Sequence, residues 1–166
     1  MSYEHIICLM KEKGVSFENG LTETELEQIE KVYDISFPAS LLRFYKEALP
    51  VGVSFVKWND FSEENIANIK EKMYLPYKWL SQDITYCEAF RNAKNAPKLI
   101  PIYSHRYMPI INHTDPPVFS TVGADTIWYG KNLEDYLFNE FIREYIIVSS
   151  DIQFVPLWSN IINNNV

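Results

Sequence analysis

The stretch from Pro117 to Phe141 limits what this chain can fold into more than any other. Val118-Phe119-Ser120-Thr121-Val122 is β-branched and aromatic, Gly123-Ala124-Asp125 supplies a turn, and Thr126-Ile127-Trp128-Tyr129 returns to strand formers, so the pattern predicts a hairpin. Gly130 breaks it. From Asn132 onward Leu133, Tyr136, Leu137, Phe141 and Tyr145 recur at steps of three and four, which puts them on one face of a helix that Asn132 can cap. So many large side chains on a hairpin and on the helix after it predict that one packs on the other, forming a core for the whole protein.

At 166 residues, with no Pro/Gly/Ser-rich linker and no repeat, the chain reads as one domain over residues 1–166. A hydrophobic content of 47% exceeds what a disordered chain carries, so nearly all of it is expected to fold, the tail Asn163-Asn164-Asn165-Val166 excepted. The formal charge is -7, and the surplus is concentrated in residues 1–83, with 9 Lys+Arg against 14 Asp+Glu. Without a basic cluster there is little to neutralise phosphates, which argues against nucleic acid and suits a basic protein partner better. The plain alternative is that this charge serves solubility. Cys8 and Cys87 lie far apart with no CxxC or Cys/His spacing, so neither a disulfide nor a zinc site is expected. The apolar run Ile6-Ile7-Cys8-Leu9-Met10 is too short to span a membrane and has no signal-peptide frame, which leaves the cytoplasm as the default.

In chain order, residues 3–13 read as a short helix with Ile6, Ile7, Leu9 and Met10 inward, ended by Gly14. Thr22 and Glu25 form a capping box with Leu21 and Leu26 as its hydrophobic staple, predicting a helix whose inward face is Leu26, Ile29 and Tyr33 and whose outer ridge is Glu23, Glu27 and Glu30. Pro38 fits the first turn of a second helix burying Leu41, Leu42, Phe44, Tyr45 and Ala48, and the short link predicts a helical hairpin. Val53–Trp58 alternates like a strand, Ser62 caps a third helix carrying Ile66, Ile69 and Met73, and Pro76 is expected to close it. Residues 83–93 read as helical on Ile84, Cys87 and Phe90 or Arg91. Leu99–Tyr103 and Tyr107–Ile111 are strands whose prolines place them at edges or bulges, and Ile152–Ile162 reads as an apolar tail strapped over the surface. The fold class is therefore α+β, a single domain with an antiparallel sheet and helices packed to one side.

Several short motifs, in this order, resemble one family. They are Pro38-x-x-Leu41-x-x-Phe44-Tyr45 after a capped acidic helix, Leu49-Pro50-Val51-Gly52 leading to Trp58, Ile100-Pro101-Ile102-Tyr103-Ser104-His105-Arg106-Tyr107-Met108-Pro109, and Pro117-Val118-Phe119-Ser120 through Asp125-Thr126-Ile127-Trp128-Tyr129-Gly130-x-Asn132-Leu133. Together they resemble the Smi/Knr-like, or SUKH, superfamily over about residues 20–145, leaving 1–19 and 149–166 as flanking elements. The resemblance implies a bacterial immunity protein that binds a cognate polymorphic toxin, often a nuclease, inside the producing cell. Fungal relatives imply the alternative, a regulatory or scaffold module tied to cell-wall synthesis. Neither implies catalysis, and fold-level likeness does not choose the partner.

Residue chemistry agrees with a non-enzyme that needs no cofactor. His105, His113 and Asp115, with Asp125 near in sequence, are the one metal-like set, but their spacing fits no ligand frame. There is no GxSxG elbow and no phosphate-binding glycine loop. The corner Ser104-His105-Arg106-Tyr107-Met108 holds residue types that anchor protein interfaces. It reads equally as structure, with Arg106 paired to Asp125 or Asp60 and Tyr107 and Met108 in the core. Trp58 and Trp128 carry the same two readings. The expected partner-binding set is Trp58, Asp60, His105, Arg106, Tyr107, Asp125 and Trp128, with Glu23, Glu27, Asp60 and Glu63 as an acidic ring steering a basic toxin.

Overall fold

The hairpin and the helix that follows it do pack together, and the rest of the chain closes around both. The computed structural model describes residues 2–83, 85, 86, 88, 91, 93, 95–123 and 125–164. Strands β3 (Leu99–Tyr103), β4 (Arg106–Pro109), β5 (Val118–Val122) and β6 (Asp125–Gly130) form an antiparallel sheet in that order. Helix α5 (Leu133–Leu137) starts at Asn132, whose side chain accepts from Asp135 N at 2.9 Å, as the sequence predicts. It then widens into a π-helical turn, Phe138–Ile142, and stops, so Tyr145 lies outside the helix and is 71% exposed rather than on its inner face.

Each strand residue's parity decides which of two cores it enters. Ile100, Ile102, Met108 and Val118 face the larger core with α1 (Glu4–Glu12), α2 (Glu23–Tyr33), α3 (Ala39–Glu47) and α5. Leu99, Tyr107 and Phe119 face the other way, toward Tyr77 and Leu80 of α4 (Glu63–Gln82) and Trp158 of α6 (Trp158–Asn164). The fold is α+β with antiparallel sheets, most helices lie on one face of the larger sheet, and the C-terminal segment covers the other. That segment is more than a surface strap. Trp158 is fully buried, stacks on Phe119 at 4.7 Å, and donates from Nε1 to the Tyr77 hydroxyl at 3.2 Å. Asn163 and Asn164 belong to α6, not to a free tail.

The Thr22–Glu25 capping box forms in full, with Leu21 and Leu26 buried beside it. Three other expectations are corrected. Val53–Trp58 is not a strand: only Phe55 bridges, antiparallel to Tyr103, and the second sheet pairs β1 (Ser16–Asn19) with β2 (Ala48–Val51). Pro50 is tolerated there because each strand of a two-stranded sheet is an edge. Pro76 does not end α4, which runs through it, because burying Tyr77 and Leu80 beneath Trp158 offsets the lost backbone bond. α2 and α3 do run side by side as the expected helical hairpin, with Glu23 paired to Lys46 and Leu21 N donating to Tyr45 O at 2.8 Å, and aromatic rings fill the join: Trp58 meets Tyr33 at 5.5 Å and Phe37 at 5.2 Å, and Phe37 meets Tyr45 at 5.6 Å. Pro109 sits on β4, an interior strand, but at its last residue, whereas Pro101 lies on the edge strand β3 at a register shift. The helix expected over residues 83–93 rests mostly on residues outside those described.

Candidate functional site

The seven residues singled out in the sequence separate into buried and accessible groups. Trp58 is fully buried, Tyr107 is 1% exposed and Arg106 is 8% exposed, so none of these three can anchor a partner on the folded chain. Arg106 and Tyr107 are neighbours on β4 and therefore point to opposite faces of the sheet. Arg106 pairs neither with Asp125 nor with Asp60. Its Nε donates to Glu140 Oε2 at 2.7 Å, its NH1 donates to Ser120 Oγ at 3.1 Å, and its guanidinium lies 4.0 Å from the Tyr129 ring centroid. Burial pushes the Glu140 carboxyl up, against the opposing pull of Arg106. This is an internal brace from sheet to π turn. Trp128 is half-buried, edge-on to Phe119 at 6.1 Å.

Asp60, His105 and Asp125 stay at the surface. Ser104 takes φ 48° so that the two-residue β3–β4 turn can close, and its N–H donates to Ser54 O at 2.8 Å, tying the 52–62 loop to that turn. On the other side Thr121 N donates to His105 O at 3.1 Å, next to the β5–β6 turn where Asp125 begins its strand. Burial first, and then Arg106 and Lys72, lower His105, with Asp125 pulling the other way. The imidazole is therefore neutral at neutral pH. Asp60 Oδ1 accepts from Ser62 N at 3.0 Å, and that bond lowers its carboxyl. Asp60 and Lys72 line an open groove of about 370 Å³ with Val53, Phe55, Glu64 and Asn68. The lining mixes both charges with apolar atoms, and Ser62 lies on it beside Asp60.

His113 and Asp115 serve the local backbone. His113 Nδ1 accepts from Asp115 N at 3.2 Å, and Asp115 Oδ1 accepts from Leu133 N at 3.0 Å, which fastens the 112–117 loop to α5. Among the described residues no group of three or more His, Cys, Asp or Glu side chains could hold a metal ion. No described helix is long and apolar enough to cross a membrane.

The acidic ring is also modified by the structure. Glu23 is paired with Lys46, whereas Glu27, Asp60 and Glu63 form no salt bridge among the described residues. The most exposed apolar stretch lies elsewhere, in Tyr145-Ile146-Ile147-Val148, whose members are 71%, 41%, 48% and 44% exposed. The sequence reading missed it by extending the helix through Tyr145. Four consecutive apolar residues after the helix's amphipathic period has lapsed were the available signal.

Comparison of the chain with protein-family models, with curated proteins and with solved structures returns no match.

Proposed function

We propose that the chain is an immunity protein that binds a cognate protein toxin in the cytoplasm and blocks it by covering its active surface. The observation that carries this reading is the acidic surplus: a formal charge of -7, with Glu27, Asp60, Glu63 and Asp125 outside every salt bridge of the described residues. Carboxylates left free in this way set a negative field that draws in and orients a basic partner, and nuclease toxins present basic clefts to their substrates. Apolar surface that the fold leaves uncovered supports the same reading, because exposed patches of this kind mark protein interfaces. The motif resemblance to the SUKH superfamily supplies the toxin as the partner class. Inhibition then needs no chemistry from this chain, only steric and electrostatic occlusion of the partner.

Affinity capture from the source cell's lysate at low salt, with the partner identified by mass, tests the proposal. The expected result is a large protein ending in a toxic domain. Recovery of a housekeeping enzyme or a wall-synthesis component instead would replace it with a regulatory role.

A further inference from the structure

Residues 144–148 leave the π turn as neither helix nor ladder strand, bending at Glu144 and Tyr145, yet the backbone of Ile147 is held on both sides of its Cα. Asn139 is 5% exposed and directs its amide at one residue of that segment: Nδ2 donates to Ile147 O at 2.9 Å, and Oδ1 accepts from Ile147 N at 3.1 Å. Nδ2 also donates to Tyr129 O on β6 at 2.8 Å, and Arg143 NH1 donates to Oδ1 at 2.7 Å. A residue whose N–H and C=O both meet one partner is extended, and that double bond is what a facing residue supplies in an antiparallel ladder. Asn139 thus takes the place of a neighbouring strand. In an extended chain the flanking residues turn their own N–H and C=O the opposite way, and those of Ile146 and Val148 have no hydrogen-bond partner among the described residues. The segment is built as a strand edge, paired on one side and open on the other, with apolar side chains uncovered along it.

The larger sheet's other border differs. At β3, Phe55 bridges Tyr103 and Ser54 O accepts from Ser104 N, so the C-terminal end of that edge is already covered. Charge selects the occupant of the open edge. Exposed Glu144 and Asp151 bracket it, while the Arg143 guanidinium is taken up by Asp135 at 2.9 Å and by Asn139. A second copy would set acidic flanks against acidic flanks in a chain already at -7. An extended segment with basic side chains would neutralise them and bury the apolar run.

We propose that Glu144–Val148 is a strand-addition site that receives an extended, basic segment of a partner protein, a proposal that rests on the toxin-binding reading and names the element that docks. The probe is a synthetic peptide of alternating lysine and valine, with its glutamate/valine counterpart as control, titrated into the isotope-labelled full chain. The Ile146 and Val148 amides shift and become protected from exchange with the lysine peptide, and they do not respond to the glutamate peptide. In Ile146→Lys/Val148→Lys, whose sites are exposed, the lysine peptide binds about tenfold more weakly through two lost cross-strand pairs. Silence at both amides, an equal response to the glutamate peptide, or a dimer that the double variant abolishes would each overturn the site, the last by giving it to a second copy. If the double variant still neutralises a captured toxin at full strength, the site is wrong and the immunity role stands. If the peptide binds as described but cells gain no protection, the role is wrong and the site stands.

Discussion

Arg106 on β4 and Glu140 in the π turn form a charge-assisted brace, Nε to Oε2 at 2.7 Å, with only 10% and 12% of their side chains exposed. Together with Asn139 Nδ2 donating to Tyr129 O it fixes the widened helical turn against the sheet, and through that turn Asn139 holds the segment after it.

Removing one member of the brace leaves the other buried and uncompensated. Arg106→Leu is expected to cost about 3–5 kcal/mol, and the double variant Arg106→Leu/Glu140→Leu less than the single change. Urea unfolding of the three proteins measures this. A double variant weaker than Arg106→Leu would contradict it.

The same carboxylate predicts a pH signature. Because the Glu140 pKa is raised in the folded state, the folded chain holds a proton there that the unfolded chain has lost, so this group's contribution is full below the unfolded carboxylate range and falls as pH rises through the folded value. Glu25 and Asp60, both lowered by bonds to Thr22 and Ser62, act in the opposite sense: their contribution is lost as pH falls through their folded values. Glu140→Gln should therefore show stability rising more steeply from acid to neutral pH than the parent. Parallel curves from denaturant titrations across that range would refute the assignment.

Gly130 is where β6 hands over to α5, and a Cβ there would lie 2.4 Å from Tyr136 N. Its neighbour is helix backbone and cannot swing aside. Gly130→Ala is expected to cost about 3 kcal/mol, at the upper end of overpacking effects. A melting temperature equal to the parent's would show that the handover is looser than this geometry.

Asn139→Ala removes four hydrogen bonds from a buried position. The expected loss is about 1–3 kcal/mol, with hydrogen exchange at Ile147 accelerated more than in the β3–β6 sheet. Uniform acceleration would instead mean that Asn139 supports the whole core and not the segment alone.

What was legible in the sequence was whatever neighbouring residues decide. Thr22 with Glu25, Asn132 before Leu133, and the strand formers on either side of Gly123 each declare their structure within a few positions, and each forms as read. The misreadings concern distant partners. Ser16–Asn19 has little strand character alone and becomes a strand because Ala48–Val51 lies beside it. α4 continues through Pro76, and the residue that covers Tyr77 just beyond it, Trp158, comes from the far end of the chain. For the site, the sequence offered Trp58, Arg106 and Tyr107 both as structure and as interface and could not choose the inward reading or name Glu140 as the partner, since Arg106 finds its carboxylate 34 positions away. The π turn, in which Arg143 N reaches Phe138 O at 2.8 Å, shortens the helix that a regular period extended to Tyr145.

Acidic steering predicts that association with the captured partner slows as salt rises while dissociation changes little, because surface charges act mainly on encounter. Stopped-flow association rates measured over a salt series decide this. Rates independent of salt would remove the steering role of the free carboxylates.

The central claim is neutralisation of a toxin, and growth is its most direct readout. Cells expressing the toxic domain of the captured partner are compared with and without this chain, and with the Ile146→Lys/Val148→Lys form. The account predicts that the parent chain restores growth and that the double variant restores it less. Growth arrest undiminished by the parent chain, expressed and folded in the same cells, would contradict it.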